Sequence, residues 1–193
     1  MVIEQDIKEA LLQLLDEKAY NKISVNDIVG RCGIHRNTFY YHFDNIPDLA
    51  RKIVLDWIDD IVKNNAVPET RLMPYFSPLI PLAFAQKERI LNVYHAVDKS
   101  VSTAFIKNLA DYAVGRYFEQ AHVDPPLSEE DLRAMRHYGR SLFTGIVIDW
   151  LDNDMNYDLL SIMERTHTLL WGGQGEAPLY RIVTPQDKAD TSA

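Results

Sequence analysis

Between Ser24 and Asp48 the chain reads SVNDIVGRCGIHRNTFYYHFDNIPD, a stretch that starts and stops helices at close intervals. Ser24 can cap the amide of Asp27 while the Asp27 carboxylate reaches back, a capping box directly ahead of Ile28 and Val29. Gly33 ends that helix after about two turns. A third short helix is predicted from about His35 to His42, with Ile34 and Phe39 turned inward and Phe43 close behind. Asn45 then caps a fourth helix in which Pro47 sits in the tolerant first turn and Asp48 completes another capping box. That helix continues through Trp57 and Ile61 to about Asn64.

The flanking sequence follows the same period. Ile3, Ile7, Ala10, Leu11, Leu14 and Leu15 recur at helical spacing and predict a first helix ending near Lys18. NNAVPE is the first plausible linker. From Arg71 to Gln86 the prolines at 74, 78 and 81 deny a regular helix interior and predict kinked or broken helix. KERILNVYHAV, SVSTAFIKNLADYAVGRYFEQAH and SEEDLRAMRHYGRSLFTGIVIDWLDND are amphipathic helices, the last opened by Ser128 and Asp131, with HVDPPL as the break before it. A final helix from about Asp158 to Trp171 stops at Gly172 and Gly173. No strand pattern of useful length appears, although LYRIV near the end can be extended. The expectation is all-α, about nine helices, divided as 1–64, 65–175 and a tail at 176–193.

At 193 residues, with 47% hydrophobic and 25% charged, the chain has an ordinary globular composition. No apolar run reaches the roughly 20 residues of a membrane span, and the start, without a basic leader, is expected to be an amphipathic helix and not a signal peptide. A single cysteine, Cys32, fits a reducing compartment. The cytoplasm is the expected location. A net charge of -8 argues against coating nucleic acid by bulk charge, but local fields depend on where charges sit. Between Lys22 and Lys52, Lys22, Arg31, Arg36, Arg51 and Lys52 outnumber Asp27, Asp44 and Asp48, with His35 and His42 added.

Three short helices with a glycine turn between the second and third match a helix-turn-helix, whose last helix enters a DNA major groove. At about 100° per residue, Phe39 and Phe43 share one face, while Arg36, Thr38, Tyr40, Tyr41 and His42 spread over the others. Arg36 and Asn37 suit base edges, and Thr38, Tyr40 and His42 offer donors to phosphate oxygens. From Ile7 through Ile61, and most specifically at TFYYHF, the segment resembles the TetR family of bacterial transcription regulators.

The resemblance implies a homodimer that reads a roughly palindromic double-stranded operator with paired third helices. It places Arg36 and Asn37 at bases or nearby phosphates, and Thr38, Tyr40 and His42 on the backbone. Ser24 falls at a cap that also faces phosphate, and Tyr41 stands where the role varies within the family. Three positions depart from the family pattern. His35 replaces a serine cap, Ile46 replaces a phosphate-clamping lysine, and Val29 replaces a small residue in the second helix. These departures predict weaker electrostatic anchoring, with more weight on helix-end amides and hydroxyls. They also predict that operator affinity strengthens as protonation gives His35 a positive charge.

The same residues carry other readings. Cys32, His35 and His42 contain metal-ligating types, but they flank a turn and lie two helical turns apart, so no metal or cofactor is expected. An all-helical enzyme using His95 and nearby carboxylates finds no supporting nucleophile–base spacing or phosphate loop. In the C-terminal part the many aromatics suit a core, or a small-molecule effector cavity with His95, Tyr112, Arg116 and Tyr138 as polar lining. The resemblance places dimerisation on the last two helices, where Ser141, Leu142, Gly145, Ile146, Trp150, Leu169 and Leu170 are the expected contacts. The expected function is a repressor released by a small molecule. An activator, or a regulator controlled by a protein partner, stays open.

Overall fold

The computed structural model describes residues 2–64, 77–120 and 127–171, and all its regular elements there are helical. The chain divides into two compact units, Met1–Tyr157 and Asp158–Ala193. The first holds α1 (Val2–Glu17), a 3-10 turn (Tyr20–Lys22), α2 (Val25–Cys32), α3 (Arg36–His42), α4 (Ile46–Asn64), α5 (Leu79–Ala85), α6 (Lys87–Ala96), α7 (Lys99–Gln120) and α8 (Glu129–Asp152). Within the described part of the second lies α9 (Leu159–Trp171). The all-α expectation and the approximate helix number hold. The linker at 65–69, residues 71–76 of the proline stretch, the break at 122–126, the Gly172–Gly173 stop and the tail at 176–193 lie outside the described residues.

The start and stop signals act largely as their chemistry demands. Ser24 closes a full capping box with Asp27, and Gly33 ends α2 at φ 66°, a left-handed conformation that costs glycine no Cβ clash. At α4 the box is offset: Asn45 Oδ1 accepts from the Asp48 amide at 2.8 Å, while Asp48 Oδ2 accepts from the amide of Asp44 rather than Asn45. Ser128 caps the Asp131 amide, but the Asp131 carboxylate takes the Ser128 hydroxyl. The described part of the proline stretch is broken helix as expected, with α5 starting only after Pro78 and ending at Ala85, and Pro81 stays out of the helix interior. It is the third residue of α5, inside the first turn, where the missing N–H has no intrahelical acceptor to lose.

Two cores follow one another along α4. Leu49 and Ile53 in its first half pack with Ile7, Leu11, Leu14, Ile28, Phe39 and Phe43 from α1–α3 and the loop after α3. Its second half contributes Ile58 and Val62 to a separate cluster with Ala113 and Tyr117 of α7. One unbroken helix therefore belongs both to the three-helix head and to the helical body beyond it. In the body, α7 and α8 share the most extensive contact between described helices. The turn closing α8 places Asp154 and Met155 at φ 52° and 51°, which non-glycine residues adopt only when their surroundings enforce it. Here Met155 is buried and its amide donates to the Trp150 carbonyl at 2.8 Å.

Candidate nucleic-acid interface

Phe39 and Phe43 lock α3 onto the head. Both are essentially inaccessible, and their rings lie 5.8 Å apart. Ile34 packs half-buried against the same core. Burying that one face turns the remainder of a seven-residue helix outward. His35, Arg36, Asn37, Tyr40 and Tyr41 are exposed, Thr38 and His42 half-buried. Tyr41 is 83% exposed, so most of its ring faces outward.

Polar contacts order this face. The Arg36 guanidinium lies over the Tyr40 ring and donates to its hydroxyl at 3.2 Å. Tyr40 meets Phe39 edge to face, and Tyr41 stands edge-on to His42. Behind them, Lys52 Nζ of α4 donates to the His42 carbonyl at 2.6 Å, satisfying a group that the end of α3 leaves open. At the other end His35 makes no side-chain cap, so the first amides of α3 are not covered by its imidazole.

The basic residues of the head are mostly neutralised in place. Lys8, only 8% exposed, joins Glu4 and Asp56 at 2.7 Å each. Burial works to lower the Lys8 pKa, but its bonds to Asp56 and Glu4 outweigh that and raise it. Lys18 pairs with Asp27, Arg31 with Glu17, and Arg51 and Lys52 with Asp48. Lys18 and the Ser24 cap together hold the Asp27 carboxyl far below the usual carboxylate range. Among the described head residues, only Lys22, Arg36 and Lys63 lack a carboxylate partner, and of these only Arg36 stands on α3.

Other expectations resolve as geometry. Ser24 donates its hydroxyl proton to Asp27 at 2.6 Å, so its side chain is engaged within α2. Ile46 folds against the head core, which explains an apolar residue at that position, and Val29 is buried within that core. Cys32 donates to the Asp6 carbonyl at 3.4 Å, and burial pushes its thiol up, away from thiolate character. Among the described residues no group of three or more His, Cys, Asp or Glu is placed to hold a metal ion. No described helix is long and apolar enough to cross a membrane.

Of the four residues expected to line an effector cavity, Tyr112 and Arg116 meet on Asp59, while His95 and Tyr138 stand on other helices. A cavity of about 190 Å³ does exist, but it lies between α1, α4, α6 and α7, and His95, Tyr112, Arg116 and Tyr138 are all absent from its wall. His95 is exposed and reaches Asp154 at 2.8 Å, tying α6 to the strained turn after α8. Tyr112 and Arg116 converge on Asp59 of α4 at 2.7 and 3.2 Å. Tyr138 is 56% exposed on α8. Aromatic content marked these residues, but it carries no information about which helix α7 would meet.

On α8 the expected dimer residues divide. Ser141 and Gly145 are exposed, with open space beside the Gly145 Cα, and Leu142 and Ile146 are half-buried. Trp150 is buried in its own chain, its indole donating to the Tyr157 carbonyl at 3.1 Å. In the second unit Leu169 is 41% exposed, and the side chain of Leu170 lies outside the described residues. Sequence reasoning missed Asn92, Arg89 and Asp59, polar groups that join head to body. Their partners lie more than 50 residues away in the chain, beyond any local pattern.

A capped helix, a left-handed glycine turn and a short exposed helix fixed by buried phenylalanines define a helix-turn-helix DNA-binding protein. Residues 7–53 match the family described as bacterial regulatory proteins, tetR family, and residues 74–172 match a transcriptional regulator C-terminal region of the TetR type. The chain belongs to the TetR family of bacterial transcription regulators. The fold resembles the dihydroxyacetone kinase operon activator DhaS, with a TM-score of 0.61 and 17% identity over 87% of this chain and 93% of that one. It also resembles the transcriptional regulator FadR from Bacillus subtilis, solved with stearoyl-CoA, with a TM-score of 0.51 and 19% identity over 88% and 98% of the two chains. At these identities the likeness is one of fold. No curated protein matches the sequence.

Proposed function

We propose that this regulator is a homodimeric repressor that α3 holds on a roughly palindromic operator and that a small-molecule effector releases. The observation that carries the reading is Arg36. It stands exposed on the first turn of α3, has no carboxylate partner among the described residues, and is braced by Tyr40. A braced arginine loses less freedom on docking and can bond guanine through two parallel hydrogen bonds. Arg36 and Asn37 read bases or adjacent phosphates, and Thr38, Tyr40, Tyr41 and His42 anchor the backbone beside them. His35 contributes when protonated, and Ser24 contributes at the start of α2 if its hydroxyl turns from Asp27 to phosphate.

In this reading residues 1–64 form the DNA-binding part and 65–175 the regulatory and dimerising part. The exposed Ser141 and Gly145 with their half-buried neighbours favour a close helix–helix approach of two copies through α8. Light scattering that shows a stable monomer at micromolar concentration would overturn the dimer. Fluorescence anisotropy with the promoter fragment upstream of its own gene, at several salt concentrations, tests the operator. The expected result is specific, salt-dependent binding, and its absence on every neighbouring promoter would refute operator regulation.

The internal pairing of most head cations favours a second reading, in which DNA contact is weak alone and a protein partner or activator role supplies the rest. Co-purification of a stoichiometric partner that raises operator affinity would select it. The sign of regulation would then follow from reporter expression in cells with and without the regulator.

A further inference from the structure

The C-terminal turn of α1 is held by a residue of the body. Asn92 on α6 donates its amide to the carbonyls of Leu15 and Lys18 at 2.8 and 2.9 Å, and its side-chain oxygen accepts from the Tyr20 amide at 2.9 Å. Helix ends leave such carbonyls open, and here a helix more than 70 residues downstream closes them. One turn before Asn92, Arg89 forks onto Asp16 at 2.7 and 2.6 Å. Together they clamp α6 to the reading head.

The 190 Å³ cavity opens directly beside this clamp. Leu11 and Leu15 of α1, Ile53 and Trp57 of α4, Val93 of α6 and Phe105 of α7 form its wall, so both head and body face into it. Three polar residues at its margin are engaged elsewhere, the Tyr94 hydroxyl on Asp152, the Ser102 hydroxyl on the Lys99 carbonyl and Arg89 on Asp16, while Tyr20 and Trp57 add uncharged polar groups to the wall. Arg89, the charged residue among those lining it, is already paired, so the wall offers a charged ligand no free opposite charge. An apolar protein cavity of about 150 Å³ holds a benzene-sized molecule, so this one has room for a ring bearing a short alkyl group.

We infer that the cavity binds a small uncharged apolar molecule, a single aromatic ring or short alkyl chain, wedged between reading head and body, and that Asn92 carries its occupancy to α1. The location follows from which helices meet there. The transmission follows from hydrogen-bond geometry, because separating α6 from α1 by about 1 Å takes the Asn92 bonds beyond hydrogen-bonding distance. A ligand that fits only the separated arrangement shifts the population toward it. The regulatory half of this inference rests on the proposed effector control; the binding half does not.

The test uses the full-length protein and toluene, with benzoate as the charged analogue of the same ring. Calorimetry is expected to show saturable toluene binding, with benzoate at least about tenfold weaker. Val93→Trp, which fills the cavity, should weaken toluene binding by about tenfold or more while circular dichroism and Tm remain near wild type. If that variant fails to fold, Ala50→Leu fills the α4 side instead. Absence of saturable toluene binding, unchanged binding in the folded filled variant, or equal binding of benzoate would each overturn the site.

Operator anisotropy without toluene is measured separately, so failure there sinks the proposed function and leaves calorimetry to judge the cavity. With operator bound, toluene should weaken wild-type binding about fivefold or more. Asn92→Ala should retain toluene binding within about threefold but lose that effect on DNA. An equal toluene effect in wild type and Asn92→Ala would overturn the role of Asn92.

Discussion

The two cores strung along α4 are closed to different degrees. Ten buried residues from α1–α3 and the segments after the 3-10 turn and α3 pack with Leu49 and Ile53 of its first half, with Phe39 and Phe43 essentially inaccessible. Around its second half the buried cluster among the described residues is Ile58, Val62, Ala113 and Tyr117, and neither α5 nor α6 contributes a buried residue. The long α8 buries only Gly139, Trp150 and Leu151. A head that satisfies its own apolar surface presents α3 in one geometry, as base reading requires. A body with half-buried helices and a cavity can still change its packing when something binds.

The sharpest way to break this contrast is to delete matched aromatic rings. Phe39→Ala should cost about 3–5 kcal/mol of stability in urea unfolding, because a wholly buried ring leaves a cavity as well as lost transfer energy. Phe84→Ala, on the 54% exposed ring of α5, should cost no more than about 0.5 kcal/mol. Equal costs would mean that the two cores are equally closed.

A second contrast separates what α3 does for DNA from what it does for the fold. Arg36→Ala should lose about 1–3 kcal/mol of operator binding and relax preference at one operator position, with thermal stability unchanged. Tyr40→Phe, which removes the hydroxyl bonded to Arg36, should weaken binding less and more uniformly across sequences. If both variants bind like wild type, α3 is not the reading helix.

A smaller effect, of about 1 kcal/mol, is expected from Ser24→Ala, which removes the α2 cap. The same cap predicts an acid response. The folded Asp27 carboxyl titrates below its unfolded value because Lys18 and Ser24 bind its charged form. Its stabilisation is therefore complete above an unfolded pKa of about 4 and is lost progressively as pH falls below that. Between about pH 5 and 3 the Tm of Asp27→Asn should decline less steeply than that of wild type in calorimetric scans. An identical slope would place the acid sensitivity in other pairs, such as Asp16 with Arg89.

The head was legible where one residue decides its own conformation. Ser24 and Gly33 mark the ends of α2 because a hydroxyl cap and a left-handed turn need only local chain. The periodicity of Phe39 and Phe43 likewise announced which face of α3 would be buried. Pro78 and Pro81 were legible in the same way, since a residue without an N–H fits only the boundary and first turn of α5. The surroundings of the residues expected at an effector site were not legible for a different reason. Tyr112 and Arg116 were chosen as polar groups among aromatics, and they meet Asp59, a residue of α4 whose proximity no spacing encodes.

The sequence by itself determined the helices of the head, the direction in which α3 presents Arg36, and the family to which those residues belong. Each depends on contacts within a turn or two, or on a pattern of residue types along one segment. Only the tertiary structure decided that α4 spans two cores, that the head's cations are mostly paired, and that Asn92 closes the end of α1. It also decided that the cavity lies where head and body meet. Those outcomes depend on which distant surfaces come together, and apolar faces of similar width can pair in many ways until the whole chain packs.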